Sequence, residues 1–341
     1  RLTWACSGAR GAAFSHRNHF RTLPNFFNRE SPYQSSGRTS NNSLSRPRGQ
    51  RYIAFMLSNP QLAPLEVEEK PTARRFLIRF FLFTYVVTWM CWAVWAASSG
   101  ATPASAWLPG LRMLVFLLGV FAPAIVAVWL TARHEGREGV RSLLHRLIQW
   151  RVGLRWYLFA VTYFIAIKLA AALLHRLLAG EWPRFNTTSW YIIIAGIVFS
   201  TPVQAGEEIG WRGYALPRLA ERFGLGLGSI VLGIIWAAWH LPLFFIPETD
   251  TTGQSFPVYL LAVTALSVAI AWLYARTGGS LMLAMLMHAS VNNTNIVPSF
   301  DPNATNPFAL STSLVAWIFT ALLSVCAAYF LVRMRRSTGE V

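Results

Sequence analysis

Long apolar runs are the feature of this sequence that most restricts its fold. Eight of them follow residue 70, near 76–97, 112–132, 156–178, 190–212, 226–246, 257–275, 280–297 and 312–332. About 20 consecutive apolar residues cross a bilayer as one helix, because a helix satisfies its own backbone where no water is present. The sequence therefore predicts an all-α, polytopic integral membrane protein with about eight transmembrane helices.

The low content of charged residues is typical of a membrane protein, and the positions of Lys and Arg predict its orientation. Only 13% of the residues are charged, against roughly 25% in soluble proteins. Fifteen Lys and Arg residues fall on the side of the membrane that holds the 133–155 connection, and three fall on the other side. Because positive residues favour the cytoplasmic side, both termini are predicted to be cytoplasmic. Topology and anionic lipid headgroups account for the net charge of +16, so no nucleic-acid partner is predicted.

The N-terminal segment differs from the rest of the chain. Residues 1–55 contain nine Arg, one acidic residue and no Met, and they show no helical or strand period. This composition is typical of an organelle transit peptide, or of translated sequence upstream of a true start at Met56. We expect residues 1–70 to form a disordered extension, residues 71–336 to form the transmembrane domain and residues 337–341 to form a short tail.

Ionisable side chains are rare within the apolar runs. Of fourteen acidic residues only Glu207 and Glu208 lie in or against a run, and of seven histidines only His240 and His288 do. Each charge at the centre of a membrane costs about 2.5 kcal/mol or more, so such residues usually mark a function. Lys168 lies near the middle of the third run, where we expect it either to face a wet cavity or to pair with a carboxylate.

The two adjacent glutamates have different surroundings in the sequence. Glu208 and Arg212 are four residues apart, so on a helix they share a face and are predicted to form an ion pair. Neighbouring residues on a helix point about 100° apart, which leaves Glu207 without a local cation. A buried carboxylate of this kind is a candidate general base or metal ligand.

Two further runs supply polar groups suited to hydrolysis. His288 and Asn292 are also four residues apart and share a face, and an Asn side chain can donate to a developing oxyanion. Pro242 follows His240 by two residues and is predicted to weaken the helix there. Backbone that is freed at membrane depth is tolerated where it lines a cavity.

This set of residues is compatible with two chemistries. In the first, Glu207 with one histidine takes a proton from water, while the other histidine and Asn292 stabilise the tetrahedral oxyanion. In the second, Glu207, His240 and His288 bind zinc, and Glu208 has to act as the base. We favour the metal-free or weakly metal-bound version, because Glu208 already has Arg212. The sequence contains no Gly-x-Ser-x-Gly, intramembrane Asp pair or His-Glu-x-x-His, which argues against serine, aspartyl and site-2 types of intramembrane protease.

Three short motifs, in this order, resemble those of the CPBP family, the CAAX protease and bacteriocin-processing (Abi) intramembrane endopeptidases. The first is Glu-Glu-x-x-x-Arg, from Glu207 to Arg212. The second is Phe-x-x-x-His, from Trp236 to His240, with Trp in place of Phe. The third is His-x-x-x-Asn, from His288 to Asn292. Each motif alone is weak, but all three in order across consecutive runs are a strong signal.

The resemblance implies a protease domain over 71–336 with its catalytic core at 190–297. It implies that Glu207 and His240 activate water, that His288 and Asn292 support the oxyanion, and that Glu208, Arg212 and Trp236 support the site. The expected partners are the lipid bilayer and a peptide or protein substrate in the membrane, which is a prenylated CAAX tail for the eukaryotic relatives. Members named metalloproteases imply zinc, on Glu207, His240 and His288.

Two other functions use parts of the same pattern. A non-catalytic immunity or peptide-binding protein would hold a partner in this site without cutting it, and its Glu207→Ala variant would still protect the cell. An ion-coupled transporter would use Lys168, Glu207 and Glu208 as a relay. Transporters usually contain repeated halves, and the sequence shows no internal symmetry.

Overall fold

The computed structural model describes residues 71–98, 108–247, 249–299, 301 and 304–336. The predicted extension 1–70 and the predicted tail 337–341 lie outside the described residues. Within the described ranges the chain is helical and contains no strand, which confirms the all-α prediction. Its nine α-helices there are α1 Pro71–Ala97, α2 Leu108–His145, α3 Leu154–Ala179, α4 Trp190–Ser200, α5 Ala205–Glu208, α6 Leu216–Trp239, α7 Phe256–Arg276, α8 Leu281–Asn293 and α9 Leu314–Arg336.

The chain is an integral, multi-pass membrane protein. Among the described residues, six helical stretches are long and apolar enough to cross a membrane: Arg75–Ala97, Pro109–Ile148, Leu154–Ala179, Trp190–Phe245, Phe256–Arg276 and Leu314–Arg335. The predicted runs 190–212 and 226–246 merge into the fourth stretch, and the run 280–297 contains the 13-residue α8, which is short for a full crossing. These six stretches are compatible with about eight crossings, and the number eight stays a prediction.

Small residues allow the helices to approach closely where they pack. A Cβ added at Gly210 would lie 2.7 Å from the carbonyl oxygen of Pro123 in α2, and one added at Gly233 would lie 2.7 Å from the Cα of Thr264 in α7. Close backbone approach at small residues is typical of helix packing in lipid, where the hydrophobic effect does not drive helices together.

The fourth apolar stretch is interrupted at the depth of the site. α4 is followed by a 3₁₀ turn at Thr201–Gln204, then by α5, and then by a π-helical segment at Ile209–Ala215 that leads into α6. α6 ends at Trp239, and a 3₁₀ turn over Leu241–Phe245 follows, as expected from Pro242. π-helical segments are often found at functional sites, and irregular backbone at membrane depth is tolerated where protein buries it.

Neighbouring helices support each of these segments. α2 packs on both α5 and the π segment, α6 packs on α7, and α8 packs on α3 and α4. The π segment is therefore buried between longer helices, and so are the adjacent side chains of Glu207 and Glu208.

Candidate active site

One cavity brings the sequence-predicted site residues together. It has a volume of about 900 Å³, and its lining includes Glu207, His240, His288 and Asn292. Glu207 is on α5, His240 directly follows α6, and the other two are on α8. Residues that are far apart in the sequence therefore line one space, as hydrolysis in a water-containing site requires.

Glu207 is held by two indole groups and not by a cation. Its Oε2 accepts hydrogen bonds from Trp236 Nε1 at 2.7 Å and from Trp211 Nε1 at 3.3 Å. No described group donates to Oε1, and Glu207 lines the cavity. Two N–H donors stabilise a carboxylate charge in surroundings of low dielectric constant. One oxygen of Glu207 is thus fixed and the other is available to the cavity.

Glu208 connects Arg212 to His288. Its Oε1 accepts from Arg212 Nη1 at 2.7 Å and lies 2.8 Å from His288 Nδ1, and all three side chains are buried. The predicted ion pair is therefore present, and it has a third member. Because a carboxylate can only accept, His288 Nδ1 carries the proton and Nε2 is the free ring nitrogen. Glu208 fixes the orientation of this ring as the carboxylate does in a catalytic triad.

His240 is oriented by the backbone of its own helix. Its Nδ1 lies 2.9 Å from the carbonyl oxygen of Trp236, so Nδ1 donates and Nε2 is free. The ring also makes edge contacts with Trp239 and Tyr259, at centroid distances of 4.7 Å and 5.7 Å. These contacts fix the plane of an imidazole that lines the cavity.

Trp236 contacts four charged or imidazole groups of the site. It donates to Glu207, its ring lies 5.1 Å from the His288 ring and 6.0 Å from the His240 ring, and the Arg212 guanidinium stands 4.2 Å above it. A Phe at this motif position would fill much of the same space but would have no N–H to donate. The Trp in this chain therefore adds a hydrogen bond to Glu207.

Asn292 and Asn293 have different surroundings. Asn292 lines the cavity, and its Nδ2 is 3.5 Å from Gln204 Oε1, at the long limit for a hydrogen bond. Asn293 Nδ2 donates to Ser200 Oγ at 2.7 Å and to a backbone carbonyl of its own helix at 2.8 Å. Asn293 therefore ties α8 to α4, while the Asn292 amide is available to a bound molecule.

The part of the chain that forms this site is similar to known proteins. A family model described as type II CAAX prenyl endopeptidase Rce1-like matches residues 186–294. This range includes Glu207, His240, His288 and Asn292. The chain is also 28% identical over 224 residues to CAAX prenyl protease 2 of Methanococcus maripaludis, an alignment that covers 62% of this chain and 81% of the relative. Both matches support the CPBP family for this chain. With these similarities the chain is an intramembrane endopeptidase, a hydrolase that acts on peptide bonds.

The zinc shell that some CPBP names imply has a poor geometric fit here. Among the described residues, no three His, Cys, Asp or Glu side chains are grouped as metal ligands would be. In this arrangement Glu207, His240 and His288 do not form a three-ligand shell.

Sequence reasoning missed two residues of this site and left the surroundings of a third undecided. Trp211 lies four residues after Glu207, a helical spacing that would have indicated the contact. Gln204 gave no signal, because it precedes the motif and its partner is on another helix. Lys168 was predicted either to face a cavity or to pair with a carboxylate. It lines the cavity and forms no ion pair with a described carboxylate.

Proposed function

We propose that Glu207 is the general base of this CPBP protease. The observation that supports this is its geometry, with one carboxylate oxygen held by two indoles and the other open to a cavity that also contains two histidines. A carboxylate placed in this way can take a proton from water as the water oxygen attacks the peptide carbonyl carbon. His240 accepts from the same water through its free Nε2 and orients it. When the carbon–nitrogen bond breaks, Glu207 returns the proton to the leaving amine.

Asn292 and His288 are proposed to stabilise the oxyanion that forms on the attacked carbonyl. Asn292 has an amide N–H that is nearly free of protein partners. For this role His288 has to carry a second proton on Nε2, while its Nδ1–H donates to the Glu208 carboxylate. A single oxyanion donor contributes about 10²–10³-fold to the rate, so loss of either residue is expected to be severe.

A prenylated peptide is the substrate class that we propose. The cavity has a polar side around Glu207 and an apolar side formed by α1 and α2, with Trp92, Trp95, Met113, Phe116, Leu117 and Val120. An isoprenoid chain would bury its surface on this apolar side while the peptide lies near the polar groups. The name of the archaeal relative, CAAX prenyl protease 2, supports the same class.

The test is cleavage of three matched peptides by the purified protein in detergent. They carry a farnesyl group, a straight alkyl chain of similar length, or no lipid. Burial of only a few methylene groups is worth about 100-fold, so we expect the farnesyl peptide to exceed the unmodified one in kcat/KM by at least ~100-fold. The alkyl peptide separates recruitment to the micelle from recognition of the isoprenoid. Equal cleavage of all three would contradict prenyl recognition, and no cleavage of any would contradict the proposed function.

Both termini are proposed to be cytoplasmic, on the strength of the Lys and Arg distribution. Arg141 and Arg184 are exposed and lie in connections predicted to be on opposite sides of the membrane. In a cysteine-free background, a membrane-impermeant maleimide added to intact cells is expected to label Arg184→Cys, and to label Arg141→Cys only after permeabilisation. The reverse labelling pattern would contradict the cytoplasmic placement of the termini.

A further inference from the structure

Lys168 is a buried cation in the wall of the cavity. It lies within α3 and is 3% exposed. Its Nζ donates to the carbonyl oxygen of Val297 at 2.9 Å and to Ser299 Oγ at 3.0 Å, and it stands 4.3 Å from the centre of the Phe319 ring. An ammonium group has three N–H donors, so these two neutral acceptors leave one donor without an acceptor, and no described contact of Lys168 supplies a counter-charge.

The other ionisable groups of the cavity do not neutralise Lys168. The acidic and imidazole side chains in the lining are Glu207, Asp250, His240 and His288. Among the described residues, no carboxylate oxygen lies within 4.0 Å of Lys168 Nζ. Glu207 is engaged by its two indole donors. A buried charge without a partner is costly, so this arrangement favours the entry of an anion.

A purely structural role explains only part of this geometry. The two hydrogen bonds of Lys168 tie the segment after α8 to α3, and a neutral donor could make them at lower cost. Among the described contacts the positive charge meets the Phe164 and Phe319 rings but no carboxylate. It does suit recognition of a carboxylate, because a carboxylate supplies both the missing charge and the missing acceptor.

We propose that Lys168 binds the free C-terminal carboxylate of the peptide substrate, an assignment that rests on the proposed function. A peptide carries this anion at one end only, so the contact would position the chain as well as hold it. The leaving amine of the hydrolysed bond belongs to the C-terminal fragment, which would therefore lie between Glu207 and Lys168. A cavity of about 900 Å³ has the size of a site for a short peptide.

The experiment compares one prenylated peptide as the free acid and as the C-terminal amide. Wild type is expected to prefer the acid by about 10- to 100-fold in kcat/KM, mainly through KM, because a buried charge pair is lost with the amide. Lys168→Met keeps the length of the side chain and removes its charge, and is expected to cleave both peptides equally. The matched control is Ser299→Ala, which removes one hydrogen bond of Lys168 but keeps the charge, and is expected to retain the preference.

The outcomes separate this proposal from its alternatives. Equal cleavage of acid and amide by wild type overturns it without any variant, so a folding defect in Lys168→Met cannot hide the answer. A loss of activity in Lys168→Met that leaves the acid preference intact shows a structural role only, and also overturns it. Because both peptides are assayed in the same detergent, an anion supplied by lipid would not produce an acid preference.

A binding measurement keeps this proposal separate from the proposed function. The Glu207→Gln variant is titrated with fluorescent acid and amide peptides, and tighter binding of the acid is expected. Suppose that wild type cleaves neither peptide, but that the acid still binds more tightly than the amide and that adding Lys168→Met removes this difference in binding. The proposed function then fails, and the carboxylate site stands. Equal binding of the two peptides overturns the carboxylate site, whatever wild type cleaves.

Discussion

Cleavage by Glu207→Gln is expected to fall about 10²–10⁴-fold below wild type, the range that a positioned general base contributes. Glutamine has nearly the same shape, and its amide oxygen can still accept from Trp211 and Trp236. The variant should therefore fold and bind substrate normally, but it has no carboxylate to take a proton from water. The measurement is single-turnover cleavage of a prenylated peptide, with the thermal unfolding midpoint recorded on the same preparation.

A matched control removes a carboxylate outside the cavity. Glu135 forms an ion pair with Arg218 and is partly exposed, so Glu135→Gln is expected to leave the cleavage rate unchanged. A wild-type rate in Glu207→Gln would remove Glu207 from the proposed mechanism. The same variant with a strongly lowered unfolding midpoint would assign Glu207 a structural role.

Trp236→Phe is expected to lower the cleavage rate by less than Glu207→Gln does. It restores the Phe of the family motif and keeps the aromatic contacts with both histidines, but it removes the shorter of the two hydrogen bonds to Glu207. Trp211 still donates, so we expect the rate to fall by no more than about 10-fold. A variant as inactive as Glu207→Gln would mean that the indole N–H itself is essential in this chain.

Arg212→Met is expected to cost about 3–5 kcal/mol in the free energy of unfolding, because it leaves the Glu208 carboxylate buried without its cation. Both side chains of this ion pair are 0% exposed, so solvent cannot compensate the charge. Activity should fall as well, since Glu208 also orients His288. Chemical unfolding in detergent and peptide cleavage measure the two effects separately.

The double variant Glu208→Leu with Arg212→Met separates stability from orientation. Replacing a whole buried ion pair by apolar residues is often close to neutral for stability, so most of the stability should return. Activity should not return, because His288 has lost the carboxylate at Nδ1. Full activity in this stable double variant would contradict the orienting role of Glu208, and a single Arg212→Met variant of unchanged stability would contradict the structural role of the pair.

The sequence predicted the parts of this molecule that depend on local spacing. Apolar runs indicate membrane helices because each run satisfies its own backbone, and a four-residue spacing places Glu208 beside Arg212. The contact between Glu208 and His288 joins residues 80 positions apart, and that between Trp236 and Glu207 joins residues 29 apart. Such contacts depend on how helices pack, which no local pattern records.

The irregular backbone was also beyond local reasoning. Pro242 indicated the end of α6, but no residue type specifies the π-helical segment at Ile209–Ala215. An aromatic residue in an apolar run is usually explained by burial or lipid contact. The four-residue spacing places Trp211 on the face of Glu207, but it does not indicate that the indole N–H donates to the carboxylate.

The most direct test of the central claim is a first-turnover cleavage in heavy-oxygen water, with the product analysed by mass spectrometry. If Glu207 activates water, the new carboxylate of the N-terminal product should carry one heavy oxygen in the first turnover of wild type, and Glu207→Gln should form almost no product. A first-turnover product without heavy oxygen would show that a protein group attacks the peptide bond. That result would contradict the role of Glu207 as a general base.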